Sequence, residues 1–182
     1  MSFLSKVMSK YQVVTNTAWY HGRSADSDKF DLNYVGKDEA KDREGPGFYF
    51  TRDKKDAEHY AHPSGIVLTV DLSPRRLVSS TDPAPVNHIR YLIDHAPDKE
   101  TTLSNWDEDA KRALKLALQA MTADNAKETF ENIWFDFYRY APKKYLEALI
   151  HLGYDGHLAS RNQNHIIIYN PSVIKILDKE RY

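Results

Sequence analysis

The chain contains no cysteine in its 182 residues. That absence removes disulfide frameworks, thiolate metal sites and a cysteine nucleophile together, and it accords with a reducing compartment. An excess of charge of one sign is also lacking. The 25 Lys and Arg against 26 Asp and Glu leave a formal net charge of −1, so no global field draws the chain onto nucleic acid or anionic lipid. Met1 to Tyr11 hold no apolar run long enough for a signal peptide or a membrane span. A cytoplasmic protein with no membrane partner is the expectation. No internal repeat and no low-complexity tract occurs. What remains is ordinary for a globular protein, 41% apolar and 28% charged. The length suits one domain over residues 1–182, able to bury a core.

Thr17 to Gly22 reads as a short strand ending at a glycine. Ser24 to Gly47 is rich in Asp, Lys and Gly without a sustained period, and reads as a long surface loop of the kind that is functional or disordered. Gly47 to Phe50 is a second strand. Asp53 can cap a helix from Lys54 to about Ala61, stopped by Pro63-Ser64-Gly65. Ile66 to Leu72 alternates as a half- to fully buried strand. Pro74 to Pro85 is a turn-rich connection. The centre, about 87–152, is helical. Asn87 to His95 is one helix. Ala110, Ala113, Leu114, Ala117, Leu118 and Met121 fall at helical spacing behind a cap at Ser104 or Asn105. Phe130, Ile133, Trp134, Phe137, Tyr138 and Ala141 repeat the pattern behind Asp124. A further helix opens at Pro142 and ends at Gly153. Strands His165 to Tyr169 and Val173 to Leu177, with Pro171 at the turn, close the chain. Short strands first and last with helices between predict an α+β fold.

The chemistry-bearing residues each have a plain reading beside a functional one. A lone histidine at a strand end, such as His21, is usually a surface or packing residue. The glycine after it permits close backbone approach to a ligand. Alternation sets Tyr49 opposite Phe48 and Phe50, so its ring meets solvent or a flat partner. Tyr60, on the next helix, packs on the sheet or faces the same partner. Two tyrosines flanking a planar cationic ring would attract it by roughly 0.5–2 kcal/mol each. His59 and His62 are spaced for a metal on one helix face, but no third ligand accompanies them and Pro63 intervenes, so no metal is expected. Arg75-Arg76 and Lys143-Lys144 read as solvated faces, and Trp106, Trp134 and Tyr138 as packing residues.

Taken together, Trp19-Tyr20-His21-Gly22, Gly45-Pro46-Gly47-Phe48-Tyr49-Phe50 and Ala57-Glu58-His59-Tyr60 resemble the nicotinamide pocket of ADP-ribosyltransferases of the diphtheria-toxin and poly(ADP-ribose) polymerase type. In those enzymes a second tyrosine follows the first by eleven residues, as Tyr60 follows Tyr49. The closing segment, Tyr154-Asp155-Gly156 and then His165 to Ile176 with Asn170-Pro171-Ser172-Val173-Ile174, resembles the transferase domains of bacteriophage and mobile-element polyvalent proteins. Phe30-Asp31, Gly36 and Glu39 fall where that family has a Phe-Asp, a Gly and a Gly-Glu-Gly. The matching elements run from Trp19 to about Leu72 and from Leu149 to Ile176.

The resemblance implies two small twisted sheets around an NAD cleft, with a helical segment inserted at about 87–152. It implies mono-ADP-ribosylation with NAD as substrate and no metal. It places His21 on the adenosine ribose, the Gly22 backbone on the carboxamide, and Tyr49 and Tyr60 around the nicotinamide. Two departures stand out. Ala57 occupies a position that is usually serine, which removes a hydrogen bond to the carboxamide and weakens binding by about 1 kcal/mol. His165 occupies the position of the family's glutamate, with Gln163 and Asn164 as neighbours that could assist. No acid lies between Gly156 and Asp178, and the long loop could supply Glu39 as a surrogate acid. The reaction develops an oxocarbenium-like ribose, as in glycoside hydrolysis. An imidazole or amide can bond the ribose but supplies no negative charge. Polymer synthesis, which depends on that glutamate, is therefore not expected. A phage or mobile-element origin would put the chain in host cytoplasm, with a host protein, a nucleic acid or a small molecule as acceptor. Three alternatives stay open. One is a binding module that sequesters NAD or an NAD-derived nucleotide. Another is an RNA 2′-phosphotransferase, whose phosphate-lining basic residues have no clear counterparts here. The third is a structural domain of a phage particle.

Overall fold

The computed structural model describes residues 18–24, 26–35, 45–61, 63–78, 85–119, 133–158 and 164–182. The strands are β1 (Trp19–Arg23), β2 (Phe48–Thr51), β3 (Ile66–Leu72), β4 (Leu77–Val78), β5 (Gly156–Leu158), β6 (His165–Ile168) and β7 (Ile174–Arg181). They form one sheet in the order β4-β5-β6-β2-β1-β3-β7. The two expected sheets are thus halves of one. Their junction is narrow: β1 and β2 share a single paired position, Tyr20 with Thr51. By contrast β1 pairs with β3 from Trp19 to Arg23, and β2 pairs with β6 from Phe48 to Thr51.

Side-chain alternation assigns the two faces. Trp19, Phe48, Phe50, Leu68, Ile166 and Ile168 belong to the main core. Tyr20 and Val67 pack with Ala57 and Ala61 of helix α1 (Lys54–Ala61) on the opposite face. In β3 and β6, apolar residues of both alternation classes are buried, because each strand is covered on both sides. Asp53 starts α1 as expected, its Oδ1 accepting from the Lys55 N–H at 3.0 Å.

Helices α2 (Val86–Asp94), α3 (Lys99–Asn105), α4 (Glu108–Gln119) and α5 (Pro142–His151) lie between β4 and β5 in the chain, with a π-helical turn at Trp134–Tyr138. Ile89, Leu92, Ile133, Phe137, Leu146 and Leu149 bury into the main core. Tyr138 is fully buried and donates to the Leu92 carbonyl at 2.6 Å. The cap of α4 differs from expectation. Asp107 Oδ1 accepts from Ala110 N–H at 2.6 Å, while Ser104 and Asn105 close α3. Met121, Asp124 and Phe130 lie outside the described residues. Helix α5 ends as expected: Gly153 takes φ +82° and the Tyr154 N–H donates back to the Leu149 carbonyl at 2.9 Å.

Strands β4 and β5 escape a reading of the sequence because two or three residues show no alternation. Asp155 organises them. Its buried carboxylate accepts from the backbone N–H of Arg75 at 2.7 Å and from the Asn170 side-chain amide at 2.8 Å. Its own carbonyl accepts from the Tyr169 N–H at 2.7 Å. Among the described residues, no helix is long and apolar enough to cross a membrane.

Candidate active site

The junction between the half-sheets is where the sequence motifs meet. Antiparallel pairing of β1 and β2 stops after Tyr20 and Thr51. His21 spans the gap beyond: its Nδ1–H donates to the Tyr49 carbonyl at 2.7 Å. A carbonyl accepts only, so the proton is on Nδ1 and Nε2 is the ring's acceptor. The imidazole lies 5.2 Å, centroid to centroid, from both Phe30 and Phe50. Burial, with the nearby Arg23 guanidinium, pushes its pKa down to about 4, opposed by the bond to Tyr49. The ring is neutral at pH 7. Arg23 ties the covering loop in place, donating to the carbonyls of Ser27 at 2.8 Å and Lys29 at 3.1 Å, with its guanidinium 4.5 Å from the Phe30 ring centroid.

Gly22 is fixed by packing. A Cβ built on it would stand 1.8 Å from the Ala57 carbonyl oxygen. Helix α1 therefore rests directly on the β1 backbone, which accounts for the glycine without a ligand. Ala57 is 1% exposed and forms part of that contact. Tyr49 is opposite Phe48 and Phe50, as alternation requires, and its hydroxyl donates to the Gly45 carbonyl at 2.5 Å. Tyr60 is 55% exposed, with its ring edge against His59. Tyr49 and α1 thus share one side of the sheet, while the His21 ring packs with the residues of the other.

His165 opens β6, paired with Thr51 on β2. Its Nε2 lies 3.3 Å from Asp56 Oδ2. Thr51 Oγ1 donates to the same oxygen at 3.5 Å. Asn164 is exposed, and its carbonyl accepts from the Arg52 N–H at 3.0 Å. Gln163, Gly36, Glu39 and His62 lie outside the described residues. Among the described residues, no group of three or more His, Asp or Glu side chains could hold a metal ion. Asp56 is the residue that the reading of the sequence missed. The signal available was its helical spacing, one turn before Tyr60 on α1.

No curated protein matches the chain, and no solved structure matches it. The model of one family, the ADP-ribosyltransferase in polyvalent proteins, matches residues 16–181, nearly the whole chain, and the protein belongs to that family.

Proposed function

We propose that this protein is a mono-ADP-ribosyltransferase that takes ADP-ribose from NAD, releases nicotinamide and places the sugar on one acceptor. Residues 1–182 act as one domain, encoded by a phage or mobile element and working in the host cytoplasm. The observation that carries the reading is the bond from His21 to the Tyr49 carbonyl. It joins the His-Gly element to the Tyr-Phe element where β1 and β2 part, and the NAD cleft in this reading is that gap. His21 Nε2 accepts from a hydroxyl of the adenosine ribose. The Gly22 backbone holds the carboxamide. Tyr49 and Tyr60 flank the nicotinamide ring, whose positive charge their faces attract. His165 faces the adjoining ribose, with Gln163 or Asn164 assisting. The acceptor is a host protein, a nucleic acid or a small molecule.

A second reading is a module that sequesters NAD, or a nucleotide derived from it, without turning it over. It is favoured by the methyl of Ala57 in place of a hydroxyl, and by His165 in place of the family's carboxylate. NAD labelled in its adenylate half, incubated with the protein in lysate, separates the readings. Transfer requires label on an acceptor and free nicotinamide in equal amount. Nicotinamide with no labelled acceptor means hydrolysis. A rise in melting temperature with NAD but no nicotinamide means sequestration. A melting temperature unmoved at millimolar NAD, in a folded sample, sinks both readings.

A further inference from the structure

The resemblance implies a glutamate immediately before the strand that holds Ile166 to Ile168, and here the chain has His165, with no acid between Gly156 and Asp178. The fold returns an acid to that place from elsewhere. Thr51 lies opposite His165 in the β2–β6 pair. The Asp53 N–H donates to Thr51 Oγ1 at 3.0 Å, which turns the chain sharply into α1. The first turn of α1 then carries Asp56 back over the strand pair, 3.3 Å from His165 Nε2. Both hydrogen bonds to Asp56, from His165 and from the buried Thr51, meet at Oδ2. Oδ1 makes no hydrogen bond to the described residues, and the side chain is 45% exposed. Tyr60, one turn further along α1, shares that side of the helix. A contact this open to solvent, with Asp56 45% and His165 24% exposed, adds little to stability.

We propose that Asp56 is the acid of this site, its carboxylate standing beside the nicotinamide ribose with His165 as the residue that positions it. The proposal rests on the reading of the protein as an NAD-dependent transferase. In the reaction, the bond between ribose C1′ and the nicotinamide nitrogen breaks. Both electrons leave with nicotinamide, which departs neutral, and the positive charge passes to C1′ and the ring oxygen. A lone pair of the acceptor forms the new bond to C1′, and the acceptor's proton goes to water. Asp56 supplies the negative charge that the developing cation requires. The imidazole N–H and the Thr51 hydroxyl hold that charge in place through Oδ2.

The test compares the parent with Asp56→Asn, Asp56→Glu and the double variant Asp56→Asn/His165→Glu. Three quantities are measured: nicotinamide release, affinity for a non-cleavable carbocyclic NAD, and affinity for an ADP-ribose analogue whose ribose is replaced by a protonated pyrrolidine. Asp56→Asn should slow release by roughly 10²-fold, the effect of removing one preorganised electrostatic group. Its affinity for carbocyclic NAD should stay within about threefold of the parent, since the group acts in the transition state. The pyrrolidine analogue should bind it at least about tenfold more weakly, having lost its counter-charge. Asp56→Glu should recover part of the rate, and the double variant should recover more by returning the carboxylate on β6. Parental release from Asp56→Asn overturns the acid role and leaves the transferase reading intact. Equal loss of affinity for both analogues makes Asp56 a binding residue and likewise overturns it. A parent that releases no nicotinamide overturns the transferase reading and the acid role together.

Discussion

Replacing Gly22 by alanine tests how the site is built. Gly22 has an ordinary strand conformation, since the positive-φ glycines among the described residues are Gly45, Gly47 and Gly153. Nothing in its backbone forbids a side chain. By itself, alanine would then stabilise the protein by about 0.4–1 kcal/mol by restricting the unfolded chain. The new methyl, however, would sit 1.8 Å from the Ala57 carbonyl oxygen, 2.7 Å from its carbon and 3.0 Å from the Ala61 nitrogen. Ordinary contact begins at 3.4 Å, so the strand and the helix must separate by about 1.6 Å. The obstruction is helix backbone, which cannot change rotamer. Overpacking costs about 1–3 kcal/mol and sometimes more, and a backbone obstacle puts this case at the upper end. The net expectation is destabilisation by about 2–3 kcal/mol, a fall in melting temperature of roughly 5–10 °C at this chain length. Urea unfolding measures it directly, with the slope as a check that the unfolded state is unchanged. Because α1 carries Tyr60, NAD affinity should fall in the same variant while it remains folded. Stability equal to or above the parent's would refute the close contact of α1 with β1.

Three other substitutions and conditions follow from the same geometry. Asp155→Ala takes the shared acceptor from the Arg75 N–H and the Asn170 amide, at about 1–2 kcal/mol for each partly buried bond. A total loss of about 2–4 kcal/mol is expected in urea unfolding, and a loss below about 0.5 kcal/mol would contradict the role of Asp155 as the knot between β4 and β5. Tyr60→Ala, at an exposed position, should leave stability within about 0.5 kcal/mol. It should weaken NAD binding by about 1–2 kcal/mol through lost stacking, and titration showing parental affinity would remove Tyr60 from the site. His21 has a folded pKa of about 4 against an ordinary 6.5, so the unfolded chain binds the proton more tightly. The stability this represents, about 3 kcal/mol, is fully present above pH 6.5 and is lost as pH falls from there towards 4. A His21→Gln variant should lack this part of the acid destabilisation, and matching pH profiles for the two proteins would argue against a buried neutral ring.

What the sequence discloses of this fold is what local physics enforces. Helix α1 is legible because a cap, a run of helix formers and a Pro-Ser-Gly stop coincide. Strand β3 is legible because its apolar side chains alternate over Ile66–Leu72. Strand β7 runs to Arg181, past the expected end at Leu177. Its last residues are charged and carry no apolar signal. They stay extended because β3 pairs with them and because Lys179 and Arg181 meet Asp26 and Asp28 of the loop after β1. Those partners are distant in sequence, and no periodicity announces them.

The candidate site divides along the same line. His21, Gly22, Tyr49 and Tyr60 can be picked out because their spacing is a local pattern. The two readings of Gly22 cannot be separated that way: the glycine that would approach a ligand in the proposed function is also the glycine that lets α1 touch β1. The acid is hidden for a further reason. A search for a carboxylate near His165 looks along β6, whereas the neighbour of His165 in space is set by strand register. Register places Thr51 opposite His165, and the helix that begins just after Thr51 returns its first turn over that pair. Asp56 therefore reaches His165 across 109 residues of chain, through one strand pairing and one helical turn. A chain that gives up the glutamate of its last strands can thus keep a carboxylate at the same place without an acid nearby in sequence. The position to inspect in related chains that lack the glutamate is the third residue of the helix that follows the Tyr-Phe strand.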